Sequence, residues 1–149
     1  MEHAEIARRL FCRGYSCAQA VLAAFGDVTG LDEETALALA SGFGAGTGRL
    51  RLTCGACTGA FMVAGLVFGG YSPEDNNKKK ECYALVQQIA RDFEKQHSTL
   101  VCAELLQGLK ADTSPSPQER NAEYYKVRPC VRFVETAARI LDERLNKYL

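Results

Sequence analysis

The sequence predicts an all-α fold, a compact bundle of about five to seven helices. Three observations support this prediction. Apolar residues recur at spacings of three and four in most segments, and Ser, Asp or Pro precedes several of these segments as a cap or first helical residue. No segment alternates between apolar and polar residues as a half-buried strand would. At 149 residues the chain can bury a hydrophobic core, and we expect a single helical domain over residues 1–149.

The first half of the chain predicts four helices, at residues 3–12, 17–25, 33–41 and 54–68. Ser16, Asp32 and Thr53 precede the last three, where their side chains can accept hydrogen bonds from first-turn N–H groups. The glycine-rich sequence GFGAGTG lies between the third and fourth helices. There it predicts a helix stop followed by a tight turn.

The second half predicts three more helices. The sequence SPED at residues 72–75 supplies a cap, a first-turn proline and acidic residues for a long fifth helix. Ser98 or Thr99 is predicted to open a short helix through CAELLQG, and residues 112–129 form a loop that holds one helical turn. Pro129 opens the last helix. Its apolar stripe comprises Cys130, Val134, Ala137, Leu141, Leu145 and Tyr148.

The stretch from Leu52 to Pro73 is the longest candidate for a membrane span, because it carries no charge over 22 residues. Its composition argues against that function. Five glycines, two threonines and the Ser-Pro end leave about 15 residues of moderately apolar helix. We therefore expect the buried central helix of a bundle and no membrane span.

Charge and termini exclude other classes of protein. The net charge is zero and the basic residues are scattered, so the basic patch of a nucleic-acid-binding protein is missing. The amino-terminal sequence MEHAEIARRLF offers no apolar signal core, which predicts a cytoplasmic protein. In that reducing compartment, seven cysteines do not indicate a disulfide framework. Some of them are expected to be catalytic, metal-bound or simply buried.

Four cysteines lie at predicted helix starts: Cys17, Cys54, Cys102 and Cys130. The unpaired N–H groups and the dipole of a helix N-terminus stabilise an anion, which predicts a lowered thiol pKa at these positions. Thiolates are the form in which cysteine attacks a substrate or binds a metal. Cys57 completes a C-x-x-C with Cys54, whereas Cys82 is expected in the core and Cys12 is expected to be structural.

Five segments, in order, resemble the blocks of the C_GCAxxG_C_C family: GYSCAQAVLAAF, LASGFGAGTGR, CGACTGAFMVAGLVFG, FEKQHSTLVCAELLQG and PCVRFVETAARILDERL. The resemblance runs from about Gly14 to Leu145. It identifies the four helix-start cysteines as the family's signature cysteines, with Gly55, Ala56 and Gly59 as the surrounding small residues. It implies a helical, redox-active protein of a kind found mainly in anaerobic bacteria and archaea. Cys57 lies outside the signature.

The residue spacing excludes several specific binding motifs. The loop GFGAGTG follows a helix and lacks the glycine spacing of a dinucleotide-binding fingerprint. The C-x-x-C has neither the following histidine of haem attachment nor the second C-x-x-C of a zinc ribbon. His97 is expected to be an exposed histidine at a helix end, which argues against a cysteine hydrolase.

Three functions remain open from the sequence. In the first, the signature cysteines ligate an iron–sulfur cluster, most simply with two irons, and Gly44, Gly46 and Gly55 admit the backbone close to it. In the second, Cys54 is the attacking thiolate of a dithiol centre, and Cys57 or a distant cysteine resolves the disulfide. In the third, the signature cysteines hold a structural zinc in a helical binding protein.

Either redox function needs a partner protein that donates or accepts electrons. The apolar and glycine content is generous for a chain of this size, and it predicts a homo-oligomer.

Overall fold

The computed structural model describes residues 2–107, 109 and 112–148, and within these residues it contains nine helices and no strand. Six of the helices have seven or more residues, which confirms the predicted all-α fold. The helices are α1 His3–Cys12, α2 Cys17–Ala24, α3 Gly26–Thr29, α4 Glu33–Ala40, α5 Gly55–Phe68, α6 Asn76–His97, α7 Cys102–Leu105, α8 Ala122–Val127 and α9 Cys130–Leu145. Short 3-10 turns follow α4 at Ser41–Phe43 and α9 at Asn146–Tyr148.

Three predicted helix starts are confirmed. Ser16 caps α2 in a capping box, in which the Gln19 N–H donates to Ser16 Oγ at 3.3 Å and the Ser16 N–H donates to Gln19 Oε1 at 3.0 Å. Asp32 caps α4 by accepting from the Thr35 N–H at 3.2 Å. Pro129 is the N-cap of α9. These starts depend on side chains within three residues of the helix, which makes them readable from the sequence.

The predicted cap at Thr53 is wrong. Thr53 instead forms an isolated antiparallel bridge with Val101, and α5 begins two residues later at Gly55, with Cys54 as its N-cap. No local pattern indicates this bridge, because its two residues lie far apart in the chain.

Two further starts differ from the prediction. Asp75, rather than Ser72, caps α6, and it accepts from the Lys78 N–H at 3.1 Å. Ser98 ends α6 in the left-handed conformation, with φ of 75°, and opens no helix. The short helix begins instead at Cys102, and its predicted end at Gly108 lies outside the described residues. The helical turn predicted within residues 112–129 is confirmed as α8.

The core forms around α5, which packs against α2, α6 and α9. Ala56, Ala60 and Val63 on this helix are fully buried, which confirms the predicted central position, although Leu66 near its end is 44% exposed. Gly59 lets α2 approach closely, because an added Cβ would stand 2.9 Å from the Ala18 carbonyl oxygen. Within the described ranges, no helix combines the length and the apolar character that crossing a bilayer requires.

The apolar stripes predicted for the long helices are largely confirmed. On α6, Cys82, Leu85, Ile89 and Phe93 are all buried. On α9 the predicted stripe is buried at Val134, Ala137, Leu141 and Leu145, whereas Cys130 is half-buried and Tyr148 is 41% exposed. The predicted homo-oligomer, the cytoplasmic location and the single-domain organisation stay predictions.

His3, the first residue of α1, contacts two other helices. Its Nδ1 lies 2.7 Å from Asp142 Oδ1 on α9, and its Nε2 lies 2.9 Å from Asp27 Oδ1 on α3. The ring stacks on Phe25 with centroids 4.0 Å apart. Burial is the largest single influence and lowers the pKa of His3, but the hydrogen bonds and charges of the two carboxylates together raise it above its usual 6.5.

The raised pKa predicts pH-dependent stability. Because the folded pKa exceeds the unfolded value, the stabilisation is fully present below pH 6.5 and is lost as the pH rises through the folded pKa. We expect His3→Gln to lower the free energy of unfolding by about 1 kcal/mol near pH 5.5 and by much less near pH 9. Urea denaturation of both proteins at the two pH values measures this. An equal loss at both would contradict an ionic role for His3.

Candidate functional site

The four signature cysteines line one cavity of about 500 Å³. They stand 37, 48 and 28 positions apart in the sequence, so only the packing of α2, α5, α7 and α9 brings the starts of these helices to the same wall. The remaining cysteines lie elsewhere: Cys12 is exposed at the end of α1, Cys57 is 1% exposed within the core, and Cys82 is buried on α6. All seven are free thiols.

The bridge between Thr53 and Val101 places Cys54 beside Cys102. The Cys54 N–H donates to the Leu100 carbonyl at 2.7 Å, and the Cys102 N–H donates to the Leu52 carbonyl at 2.6 Å. These bonds hold the two chain segments that enter α5 and α7 side by side. Both thiols are largely covered, with 4% exposure for Cys54 and 9% for Cys102.

The three glycines predicted to contact a cofactor, Gly44, Gly46 and Gly55, all line the cavity. Two of them also pack directly on signature cysteines. A Cβ added at Gly46 would stand 2.8 Å from the Cys102 Cβ, and one added at Gly55 would stand 3.3 Å from the Cys17 Cβ. Glycine is therefore needed at these positions to seat the cysteines, and the cofactor contact stays a prediction.

Cys17 and Cys130 form the thiol pair of the cavity. Both are half-buried and line the cavity from the first residues of α2 and α9. The neighbouring Cys17 side chain, followed by the positive charges of Arg128, Arg120 and Arg51, lowers the pKa of Cys130 to about 7 against the opposing effect of burial. The Cys130 side chain and burial raise the pKa of Cys17 well above its usual value. Of the two thiols, Cys130 is therefore the one that ionises more readily.

The C-x-x-C forms a second, deeper pair. The Cys57 N–H donates to the Cys54 carbonyl at 3.0 Å, and the neighbouring Cys54 side chain, together with burial, raises the pKa of Cys57 well above its usual value. Cys54 lines the cavity, while Cys57 lies behind it. Among these two residues, only Cys54 has contact with the cavity space.

The thiol pKa is lowered at Cys130 as predicted, but the causes are Cys17 and three arginines rather than the helix start, and the pKa is raised at two other signature cysteines. Burial raises the pKa of Cys102, although Arg51 opposes it with an Nη1 that lies 3.8 Å from the sulfur. The Cys130 side chain and burial raise the pKa of Cys17. Neighbouring thiols and loss of water therefore outweigh position in the helix at these two residues.

Four arginines line the cavity, and the sequence analysis did not single them out: Arg49, Arg51, Arg120 and Arg128. Their positions in the sequence could have indicated them, because two follow the glycine loop in GRLR and one directly precedes Pro129 and Cys130. Reading the basic residues as scattered missed that the fold gathers these four. Among the described residues that line the cavity, there is no carboxylate.

The backbone after the glycine loop turns two of these arginines inward. Arg49 and Arg51 have φ of 70° and 62°, left-handed values that cost a non-glycine residue of order 1 kcal/mol or more each. Their neighbours Leu50 and Leu52 are 57% and 56% exposed, whereas Arg51 is only 7% exposed. The strained backbone thus places charge in the cavity and apolar side chains in solvent, the reverse of the usual preference.

Histidine takes no part in this cavity, and His97 is half-buried rather than exposed as predicted. Its Nε2 lies 3.0 Å from Thr136 Oγ1, and its ring packs between Phe93 and Phe133 with centroids 4.8 Å from each. In the part of the chain that the structure describes, no three His, Cys, Asp or Glu side chains are grouped to hold one metal ion.

Comparison with known proteins assigns the chain to a family. The family model described as "Putative redox-active protein (C_GCAxxG_C_C)" matches residues 15–144. No curated protein and no solved structure matches the chain. The match covers every residue of the cavity that carries a thiol.

Proposed function

We propose, from the premise that the chain belongs to the C_GCAxxG_C_C family of redox-active proteins, that Cys17 and Cys130 are its reacting dithiol. The two thiols are oxidised reversibly to a disulfide. The observation that carries this proposal is the placement of Cys17 and Cys130 in the wall of one cavity, half-buried and near enough for each side chain to shift the pKa of the other. A thiolate with a neighbouring thiol is the arrangement that thiol–disulfide exchange requires.

The geometry assigns different roles to the two cysteines. The Cys130 thiolate attacks one sulfur of a disulfide substrate, whose S–S bond breaks and releases one thiol after it takes up a proton from water. Cys17 then loses its proton and attacks the Cys130 sulfur of the mixed disulfide, which releases the second thiol. Two electrons pass from the protein to the substrate. The reverse sequence, driven by a reduced dithiol, restores the two protein thiols.

Disulfide mapping tests this assignment. The reduced protein is oxidised with a limited amount of a small disulfide, its remaining thiols are alkylated, and the peptides are analysed without reduction. We expect one intramolecular link, between Cys17 and Cys130, which is absent from Cys17→Ser. Cys82→Ser is the matched control and should keep the link. A link between Cys54 and Cys57 in its place would overturn the proposal and support the C-x-x-C centre.

Ligation of a two-iron cluster by the signature cysteines is the second candidate. One observation favours it, because all four thiols line the same cavity together with four arginines that would offset the negative charge of such a cluster. Zinc bound by the same residues is its colourless counterpart. For either metal the four thiols would have to move closer together, because no three of the described side chains are grouped to hold one metal ion. For the cluster, the partner is a protein that donates or accepts electrons. For the dithiol, the partner is a protein that supplies the reduced dithiol which restores the two thiols.

An anaerobic absorption spectrum with iron, sulfide and zinc analysis of the same sample tests the second candidate. Visible bands with stoichiometric iron and sulfide, lost in Cys17→Ser and kept in Cys57→Ser, would support the cluster. Bound zinc without those bands would support the structural site. Metal-free protein that forms the Cys17–Cys130 link would leave the dithiol as the function.

A further inference from the structure

The arginines that line the cavity carry more positive charge than a single Cys130 thiolate would neutralise. Arg51 is 7% exposed and directs Nε to the Asp112 carbonyl oxygen at 3.1 Å, so a backbone dipole satisfies its hydrogen bond and does not neutralise its charge. Arg120 donates in the same way to the carbonyl oxygens of Phe11 and Tyr15, both at 3.0 Å. A buried cation is costly unless an anion approaches it. The arginines therefore favour an anion within the cavity.

The other two arginines also line the cavity wall, and Asp112 partly offsets the charge of one of them. Arg49 donates to the Ser114 carbonyl at 2.6 Å and pairs with Asp112 at 2.8 Å, and Arg128 donates to the side chain of Gln118. The chain segment 112–118, which itself lines part of the cavity, thus holds these two arginines in place. Since planar guanidinium groups bind carboxylates through paired hydrogen bonds, this set suits a carboxylate-bearing ligand.

The size of the cavity restricts the ligand to a small molecule. About 500 Å³ falls within the range of sites that enclose metabolite-sized ligands and is too small for a folded partner. Phe11, Tyr124 and Phe133 add apolar surface to the wall, which suits a short carbon chain between charged groups. Cys17 and Cys130 line the same space.

We infer that the cavity binds a small disulfide with a carboxylate at each end, which the dithiol reduces to two thiols. This inference rests on the proposed dithiol function and adds the class of substrate. The Cys130 thiolate attacks the ligand S–S bond, one carboxylate-bearing thiol leaves with a proton, and Cys17 closes the protein disulfide as the second leaves. The ligand is thereby the oxidant of the reaction, and the arginines hold its carboxylates while the central sulfur atoms face Cys130.

Three symmetrical disulfides with the same two-carbon spacer on each side of the S–S bond test the charge preference. They are 3,3′-dithiodipropionate, with two negative charges, bis(2-hydroxyethyl) disulfide, which is neutral, and cystamine, with two positive charges. The rate of Cys17–Cys130 oxidation by each is divided by the rate at which dithiothreitol reduces the same compound, because this ratio removes differences in leaving-group reactivity. We expect a normalised preference for the dianion over the dication of at least about tenfold at low salt.

Competition by an unreactive dianion tests binding without any substitution. Suberate has its carboxylates at the spacing of dithiodipropionate but no disulfide, and it is expected to slow oxidation by the neutral compound. The diol 1,8-octanediol is the matched control and is expected to have no effect. The dianion preference is also expected to fall in Arg51→Gln and in Arg49→Gln, and to be kept in Arg139→Gln, which removes a 57% exposed charge on α9 outside the cavity.

The outcomes separate the substrate from the function. Equal normalised rates for the three disulfides, with no competition by suberate, would overturn the anionic substrate while the Cys17–Cys130 link still forms. Failure of all three compounds to form that link would overturn the dithiol function itself. Should one arginine variant unfold, competition by suberate on the unsubstituted protein still decides the inference.

Discussion

Alkylation of Cys130 by iodoacetamide is expected to follow an apparent pKa of about 7, and Cys17→Ala is expected to slow that reaction about fivefold at pH 7. Removing the Cys17 thiol, the largest cause of the lowered pKa of Cys130, moves that pKa upward, toward the usual 9.0. A full return would reduce the thiolate fraction about 50-fold, but the more basic thiolate is intrinsically about tenfold more nucleophilic. The net loss is therefore smaller than the change in ionisation.

Site-resolved mass spectrometry over a pH series measures this effect on Cys130 alone. Cys17→Ser is the matched variant, because its hydroxyl can donate to the thiolate, and we expect its profile to stay closer to that of the unsubstituted protein. A profile for Cys17→Ala that is unchanged in midpoint would show that the arginines alone set the pKa. The Cys17–Cys130 pair would then lose its proposed role.

Gly46→Ala is expected to lower the free energy of unfolding by about 2–4 kcal/mol. Gly46 has φ of 70°, and an added Cβ would stand 2.7 Å from the Leu52 nitrogen, 2.8 Å from the Cys102 Cβ and 2.9 Å from the Arg51 Cα. Two of these three contacts are to backbone, which has no rotamer to change. The bridge region that seats Cys102 must therefore shift.

Gly30→Ala separates crowding from backbone strain. Gly30 has φ of 80°, but no described atom lies within 4 Å of an added Cβ there, so only the strain of about 1 kcal/mol is expected. Chemical denaturation of both variants measures the difference. We also expect Cys102 to become more reactive toward alkylation in the Gly46 variant. Equal stability losses in the two variants would contradict the packing of Gly46 on Cys102.

Local signals in the sequence predicted much of the fold because their causes act over a few residues. Ser16 and Asp32 cap helices through bonds to N–H groups three residues ahead. The stripe of α6 follows from helical periodicity alone. Thr53 carries the same chemistry as these caps, but Val101 engages its backbone and moves the start of α5. A cap therefore fails as a signal where a distant segment competes for the same backbone.

The sequence by itself determined the helical class, the starts of α2, α4 and α9 and the four cysteines of the family pattern, because each is encoded in local spacing and residue type. Only the tertiary structure decided how those cysteines are arranged. Cys17 pairs with Cys130 across 113 positions of chain, Cys57 is turned behind the cavity, and Arg51 is brought to Cys102 by a strained loop. Pairing, burial and the gathering of charge depend on how helices pack, and these in turn set which thiol becomes the thiolate.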